Sequence, residues 1–309
     1  MRLAVIDLGT NTVRLLVAEL HPGARWVSVH AEQRVTRLGE GMRTTGALGE
    51  APMRRTAAAV TEYVARARTA GASRVRVVAT SAVREAQNGR AFAERLALET
   101  GERIDVISGD EEARLTLRGL RRGLALDAGT LVAFDIGGGS TEYVLARDAA
   151  LVEAVSLKLG VVPLAERFPF PERLDHARYV AMLDEIRGRL ATELPATIAQ
   201  ASCDALVGTA GTVTTLAALD LELAEYDPER VHGHRLTRAA VDRLLARLGA
   251  RTVQERGALP CLEPGRADLI IPGTAIVMAT MERLGADALV VSEYGLREGI
   301  MDVVSESVS

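Results

Sequence analysis

The sequence has 309 residues, a length typical of two domains rather than one. Apolar residues make up 48% of it, which excludes an intrinsically disordered chain and supplies enough material for two packed cores. A formal net charge of −4 and an aromatic content of 3% argue against a general nucleic-acid-binding protein, because such proteins need a basic surface and rings on which bases stack.

The first part of the chain predicts a β-hairpin followed by alternating strands and helices. Buried strands over residues 3–6 and 13–18 flank a polar turn at residues 7–12 that is rich in Gly, Asn and Thr. The pattern then predicts strands at 26–35, 74–79 and 104–107 and helices at 51–70, from about 80, at 92–98 and at about 110–120. Residues 122–129 predict a connection.

The second part of the chain repeats this order. Strands are predicted at 131–134, 143–146, 151–157, 205–207 and 288–291, and helices at 161–168, 174–194, 213–219, 237–248, 270–284 and from about 295. Thr237 is expected to cap its helix, and Pro272 falls in a first turn, where proline is tolerated. Alternating strands and helices indicate the α/β class.

The first polar turn recurs 128 residues later in the chain. Asp7-Leu8-Gly9 matches Asp135-Ile136-Gly137, and Thr12 falls opposite Ser140. A repeat at this spacing, about one domain length, predicts two related domains rather than a solenoid.

Three glycine-bearing turns that follow short apolar strands are candidate phosphate loops. Glycine lets the backbone approach an anion closely, and the N–H and hydroxyl groups of such turns donate to phosphate oxygens. A tight turn with no ligand is the alternative for any one of them. The residues predicted to bind phosphate are Gly9, Thr10, Asn11 and Thr12 in the first turn, Gly137, Gly138, Gly139, Ser140 and Thr141 in the second, and Gly208, Thr209, Gly211 and Thr212 in the third.

Carboxylates at the first two turns predict a divalent cation. An aspartate beside phosphate repels it unless a cation such as Mg²⁺ bridges the two groups. Asp135 is the stronger candidate ligand and Asp7 the weaker, and Glu142 is a second candidate, directly or through water. The alternative is an aspartate that caps its own turn.

Glu112 is a candidate general base. Ser108 and Glu111 fit a capping box, which explains Glu111 without a function and leaves Glu112 about 100° further round the helix. Arg84, predicted in the first turn of a helix, and Arg14, in an otherwise apolar strand, are candidate phosphate contacts. A surface salt bridge with Glu85 or a neighbouring residue is the alternative for Arg84.

Other features predict a reduced, cytoplasmic setting with no membrane partner. Cys203 and Cys261 lack a CxxC partner and are expected to be reduced core residues. Asp7 interrupts the apolar run at the N-terminus, and the stretch 269–281 contains Pro272 and is too short to span a bilayer. His232 and His234 would share one face of a strand, but further zinc ligands are not nearby in the sequence.

Three motifs together resemble the exopolyphosphatase/guanosine pentaphosphate phosphatase family, which belongs to the actin, hexokinase and Hsp70-like superfamily. They are residues 6–15, residues 107–115 and the run Asp135-Ile136-Gly137-Gly138-Gly139-Ser140-Thr141-Glu142, and the similarity extends through residues 208–212, 266–268 and 292–299. Thr10 and Thr12 stand where the family commonly has Ser, so the hydroxyls are kept.

The resemblance implies two ribonuclease-H-like (actin-like ATPase) domains with an interdomain cleft. We expect residues 1–124 to form the first domain, with 297–309 packing back on it, and residues 125–296 to form the second. The resemblance makes Glu112 the catalytic base, Arg84 a phosphate contact, and Asp135 and Glu142 the Mg²⁺ ligands. Longer members carry an additional C-terminal helical domain that this sequence does not include, which favours short substrates.

The implied reaction is Mg²⁺-dependent hydrolysis of the terminal phosphoanhydride of inorganic polyphosphate. Three alternatives stay open on the sequence: hydrolysis of guanosine pentaphosphate, a non-catalytic phosphate- or nucleotide-binding regulator, and a sugar kinase. Glu112 argues against the regulator, and the kinase lacks a convincing Asp base. The sequence leaves a homodimer open and predicts no nucleic-acid partner.

Overall fold

The structure is a computed structural model that describes residues 1–23, 25–124, 129–148 and 150–308. The chain divides into two compact units, one formed by Met1–Arg122 with Gly295–Ser309 and the other by Gly123–Tyr294. We refer to them as unit 1 and unit 2. The expected boundaries fall two residues later at each crossing, and residues 125–128 of the connection predicted at 122–129 lie outside the described residues.

Unit 1 contains a five-stranded sheet in the order β3-β2-β1-β4-β5. Strands β1 and β2 form the predicted antiparallel hairpin, β3 pairs antiparallel with β2, and β4 and β5 run parallel to β1. The strands are β1 (Arg2–Leu8), β2 (Thr12–His21), β3 (Arg25–Val35), β4 (Ala72–Ala79) and β5 (Ile104–Val106).

Helices cover both faces of this sheet, because consecutive residues of its central strand β1 are apolar and neighbouring side chains point to opposite faces. Ala4 and Ile6 pack with α2 on one face, whereas Leu3 and Val5 pack with α14 on the other. The helices of unit 1 are α1 (Met42–Thr45), α2 (Glu50–Thr69), α3 (Ser81–Glu85), α4 (Gly89–Thr100), α5 (Gly109–Gly123) and α14 (Leu296–Glu306). The last helix of the chain therefore belongs to unit 1.

Unit 2 contains a six-stranded sheet in the order β10-β11-β9-β6-β7-β8. Strands β6, β7 and β8 are antiparallel, β9 runs parallel to β6, and β11 runs parallel to β9. The strands are β6 (Thr130–Ile136), β7 (Thr141–Arg147), β8 (Ala150–Leu157), β9 (Ala205–Thr209), β10 (Arg235–Thr237) and β11 (Ala288–Ser292). Apart from the added β10, the order repeats that of unit 1, as the 128-residue repeat predicts.

The helices of unit 2 pack with this sheet around one large apolar cluster. They are α6 (Val161–Arg167), α7 (His176–Glu193), α8 (Ala196–Ala199), α9 (Ala210–Asp220), α10 (Pro228–Val231), α11 (Arg238–Gly249), α12 (Val253–Gly257) and α13 (Ile270–Arg283), with a 3-10 helix at Pro264–Arg266. The predicted cap is confirmed, since the Thr237 hydroxyl accepts from the N–H of Ala240 at 3.1 Å. None of the described helices combines the length and apolarity needed to cross a membrane.

Two expectations for single residues need correction. Residues 232–234 form a turn before β10, so His232 and His234 do not share a strand face, because the chain turns through Gly233 at φ 78°. Cys203 and Cys261 are free thiols, but each is only partly buried at the margin of the unit 2 core.

Candidate active site

In unit 1, three predicted features follow the carboxyl ends of neighbouring parallel strands. The Thr80 N–H donates to the Leu8 carbonyl at 3.2 Å, and the Ile107 N–H donates to the Ala79 carbonyl at 3.1 Å. These bonds place the first glycine turn after β1, helix α3 after β4 and helix α5 after β5 at one edge of the sheet. In α/β sheets this edge is where ligands bind.

The candidate base and the candidate phosphate contact of this edge touch each other. Arg84 Nη1 donates to Glu112 Oε2 at 3.0 Å and to the carbonyl of Ile107 at 3.0 Å. Glu112 is buried, at 8% exposure, so this contact fixes its carboxylate in one place. The alternative partner Glu85 accepts instead from the Ser81 hydroxyl at 3.1 Å.

The helix that carries Arg84 is short, and it begins where the sequence predicts. Helix α3 has five residues, so Arg84 lies in its last turn as well as its first. The expectation that the helix dipole disfavours a cation at the position of Arg84 therefore does not apply. The start of α5 agrees with the expected cap, because the Ser108 hydroxyl accepts from the N–H of Glu111 at 3.1 Å. Glu111 is exposed, which separates it from the buried Glu112.

The first glycine turn is tight and anchored. The Gly9 N–H donates to the Thr12 carbonyl at 3.0 Å, and a Cβ on Gly9 would lie 3.0 Å from that oxygen. Thr10, Asn11 and Thr12 are all less than 9% exposed. The segment after β3 holds the tip, since the N–H groups of residues 36 and 37 donate to the Asn11 carbonyl at 2.9 and 3.0 Å.

The second glycine turn has the same construction. The Gly137 N–H donates to the Ser140 carbonyl at 2.9 Å, and a Cβ on Gly137 would lie 3.0 Å from it. The carbonyls of Gly137 and Gly138 accept from the first residues of α6, at 3.2 and 2.9 Å. The Thr141 hydroxyl donates to the carbonyl of Leu159 at 2.5 Å, which engages that hydroxyl within the protein. Gly139 lies between these anchored residues.

The third turn lies at the start of α9, at the same sheet edge of unit 2 as the second. The Thr209 hydroxyl donates to the carbonyls of Ser292 and Tyr294, at 2.9 and 3.1 Å. Ala210 adopts φ 70°, a conformation that costs a non-glycine residue free energy and that clusters at functional sites. Gly208 lies within β9, and Thr212 packs against Gly273.

A residue given no individual role on the sequence completes the third turn. A Cβ on Gly211 would lie 1.6 Å from Arg266 Nη1, so the guanidinium rests directly on this glycine. Only 13% of the Arg266 side chain is exposed, and its Nε lies 3.2 Å from Glu263 Oε2. The sequence run 266–268 contains Arg266 but does not indicate that this arginine contacts Gly211, because the two residues are 55 positions apart.

Asp135 and Glu142 are direct cross-strand partners in β6 and β7. Partners on one face have Cβ atoms about 5 Å apart, close enough for two carboxylates to share a cation. Glu142 is 2% exposed, and its Oε1 accepts from the hydroxyls of Ser140 and Ser156 at 2.7 and 2.6 Å. Hydroxyl donors orient the carboxylate in place.

This pair fits Mg²⁺ when substrate and water supply the other oxygens. No group of three or more His, Cys, Asp or Glu side chains suited to a metal occurs among the described residues. Mg²⁺ usually takes one or two carboxylates and fills its octahedron with water and phosphate, so a pair is sufficient. The two histidines do not join it: within unit 2, His234 contacts Asp220 at 3.0 Å and His232 contacts the Gly123 carbonyl at 2.9 Å.

Asp7 has a different environment from Asp135. Asp7 faces Arg14 across the β1–β2 hairpin and is 6% exposed. Burial raises its pKa, and the charges of Arg14 and Arg297 oppose that change. Its Oδ1 is buried without a hydrogen-bond partner among the described residues.

Comparisons with known proteins find similar proteins over nearly the whole chain. The model of the Ppx/GppA phosphatase family matches residues 16–307. An exopolyphosphatase 2 from Mycobacterium tuberculosis is 38% identical, with 97% of each chain covered. The crystal structure of the Ppx/GppA family member from Aquifex aeolicus is 31% identical, with a TM-score of 0.83 and 100% and 99% of the two chains covered. An exopolyphosphatase structure from Cytophaga hutchinsonii is 26% identical, with a TM-score of 0.91 and the same coverage.

Proposed function

The chain belongs to the Ppx/GppA phosphatase family, and we propose that it hydrolyses the terminal phosphoanhydride of inorganic polyphosphate and releases orthophosphate. The observation that carries the proposal is the buried Glu112 carboxylate, held by Arg84 at the sheet edge where the first glycine turn lies. A relative that covers 97% of the chain is an exopolyphosphatase, which supports polyphosphate as the substrate.

In the proposed reaction, a water molecule attacks the terminal phosphorus while Glu112 accepts its proton. The P–O bond of the anhydride breaks, and the shortened polyphosphate leaves as the negatively charged product. Arg84 has two roles, because the same guanidinium orients Glu112 and contacts the phosphoryl group whose charge spreads in the transition state. The N–H groups of the first turn and Arg14 bind phosphate oxygens.

We assign phosphate and cation binding to the second and third glycine turns, both of which lie in unit 2. Asp135 and Glu142 would hold Mg²⁺, which supplies positive charge to neutralise phosphate oxygens when bound. Ser140 and Ser156 orient Glu142 for this role. The guanidinium of Arg266 adds a positive charge at the third turn. Arg266 is therefore a further phosphate contact beside Gly208, Thr209, Gly211 and Thr212.

A substrate panel tests the proposal. Phosphate release with Mg²⁺ is measured for short polyphosphate, long polyphosphate, guanosine pentaphosphate and ATP. We expect the highest kcat/KM on short polyphosphate. A higher kcat/KM on guanosine pentaphosphate would move the assignment to the second activity in the family name, and no release from any of the four would contradict a hydrolase.

A further inference from the structure

Arg256 is a fully buried cation that the mechanism above does not use. It is the largest side chain in the fully buried set, at 0% exposure. Burial lowers its pKa, and the charge of Asp268 opposes that change. Taking a guanidinium out of water costs free energy, so such a residue persists only where several hydrogen bonds compensate for that cost.

Within the part of the chain that the structure describes, the guanidinium of Arg256 donates to main-chain carbonyls alone. Nε donates to Arg251 at 3.1 Å, Nη1 to Ala267 at 3.2 Å, and Nη2 to Phe170 and Glu172 at 2.6 and 2.9 Å. The residue thereby joins three separate segments of unit 2: the turn after α11, the loop before α7, and the chain just after the 3-10 helix at Pro264–Arg266. Four charge-assisted bonds to backbone fix these segments against one another.

One of these segments carries Arg266, which immediately precedes Ala267. Arg266 Nη1 lies so close to Gly211 that a methyl group on that glycine would overlap the guanidinium. A shift of the main chain at Ala267 would therefore move Arg266 away from the third turn. Arg256 contacts this stretch of main chain through its hydrogen bond to the Ala267 carbonyl.

We propose that Arg256 is a positioning residue for phosphate binding: by holding the carbonyl of Ala267, it keeps Arg266 on Gly211, where Arg266 presents its charge to phosphate at the third turn. This inference rests on the proposed function, because it takes the third turn as a phosphate site. Arg256 itself is buried away from substrate and acts through Arg266.

A double-mutant cycle in the full chain tests this dependence. Steady-state kinetics on tripolyphosphate are measured for Arg256→Lys, Arg266→Gln and the double variant, with melting temperatures recorded for each. We expect each single substitution to raise KM about tenfold, the size of one charge-assisted hydrogen bond, with a smaller change in kcat. The double variant is expected to match Arg266→Gln alone, because Arg256 has nothing left to position.

Arg178→Lys is the matched control. Arg178 also donates to a main-chain carbonyl, that of Pro169 at 2.6 Å, but it is exposed and is not tied to Ala267. We expect its KM to equal that of the wild type. If the KM effects of Arg256→Lys and Arg266→Gln multiply in the double variant, or if Arg256→Lys leaves KM unchanged, the positioning role is overturned.

Two further outcomes are decided in the same experiment. Arg256→Gln is prepared beside Arg256→Lys, and failure of both to fold at 10 °C would make Arg256 a folding determinant and overturn the positioning role. Absence of turnover by the wild type would contradict the proposed function, whereas wild-type turnover with multiplying KM effects would contradict only the role of Arg256.

Discussion

The two units share a strand order and a hairpin turn but differ in the charge beside that turn. Gly9 and Gly137 make the same N–H to carbonyl bond, at 3.0 and 2.9 Å. Two residues before these glycines, each hairpin has an aspartate in its first strand. Asp7 faces Arg14 in unit 1, whereas Asp135 faces Glu142 in unit 2. The hairpins therefore differ at the cross-strand partner of the aspartate, which is a basic residue in unit 1 and an acidic residue in unit 2.

Under the proposed function, this difference predicts different ligands for the two turns. An arginine opposite a carboxylate compensates part of its charge, whereas two facing carboxylates repel each other unless a cation lies between them. The surroundings of Glu142 agree, since the hydroxyls of Ser140 and Ser156 orient its carboxylate. We therefore expect the second turn to govern Mg²⁺ dependence and the first to govern phosphate affinity.

Removing the charge of Glu142 is expected to give the largest effect within this comparison. Glu142→Gln should raise the Mg²⁺ concentration for half-maximal activity by ~10-fold or more, and reduce kcat/KM by ~10²-fold, because a ligand and its charge are lost. Mg²⁺ titrations of phosphate release measure both. Glu153→Gln is the control, since Glu153 also accepts from a hydroxyl, Thr197 at 3.0 Å, but lies on β8. An unchanged Mg²⁺ requirement in Glu142→Gln would break the comparison.

Removing the charge of Arg14 should weaken substrate binding without touching the metal. Arg14→Gln is expected to raise KM for tripolyphosphate about tenfold, the loss of one charge-assisted bond, while the Mg²⁺ requirement stays at the wild-type value. Arg34→Gln is the control, since Arg34 lies on the neighbouring strand β3 and pairs with Glu62. A shift in Mg²⁺ dependence for Arg14→Gln would mean that both turns bind the cation.

Substituting Asp7 should give the smallest change in activity of the three substitutions, and it should increase the stability of the fold. Burial raises the pKa of folded Asp7 above its unfolded value, so its ionised form destabilises the fold at neutral pH. Asp7→Asn should raise Tm by about 2–4 °C for each kcal/mol of unfolding free energy gained by removing the buried charge. The same substitution should lower kcat/KM. The gain in Tm should shrink as pH falls through the folded pKa of Asp7, because the wild-type carboxyl is then neutral too. Thermal scans over a pH series from 7 down to 3 measure this, and a lower Tm in the variant at pH 7 would contradict it.

The duplicated hairpins could be predicted from sequence because their determinants are local. An apolar strand, a turn of Gly, Asn, Thr or Ser, and a second apolar strand specify a hairpin within about 15 residues. The 128-residue repeat then indicates the second unit. Glu112 could be proposed because Ser108 accounts for its neighbour Glu111 as a cap, and the structure places that hydroxyl on the Glu111 N–H.

The contacts that join distant segments could not be predicted in the same way. Arg84 meets Glu112 because β4 and β5 are parallel neighbours, and sequence periodicity does not order the strands of a sheet. Arg266 reaches Gly211 through a close approach between two segments, which a glycine motif does not specify. The histidine pair fails for a local reason, since Gly233 at positive φ turns the chain where a strand was expected.

The central claim is that Glu112 accepts the proton of the attacking water, and adjacent glutamates allow it to be tested directly. Phosphate release from polyphosphate at saturating substrate and Mg²⁺ is compared for wild type, Glu112→Gln and Glu111→Gln, with substrate affinity measured by calorimetry. We predict that Glu112→Gln lowers kcat by ~10²-fold or more with affinity retained, as expected for loss of a positioned base, and that the exposed Glu111→Gln stays near the wild-type rate. Equal rates for the two variants would contradict the account.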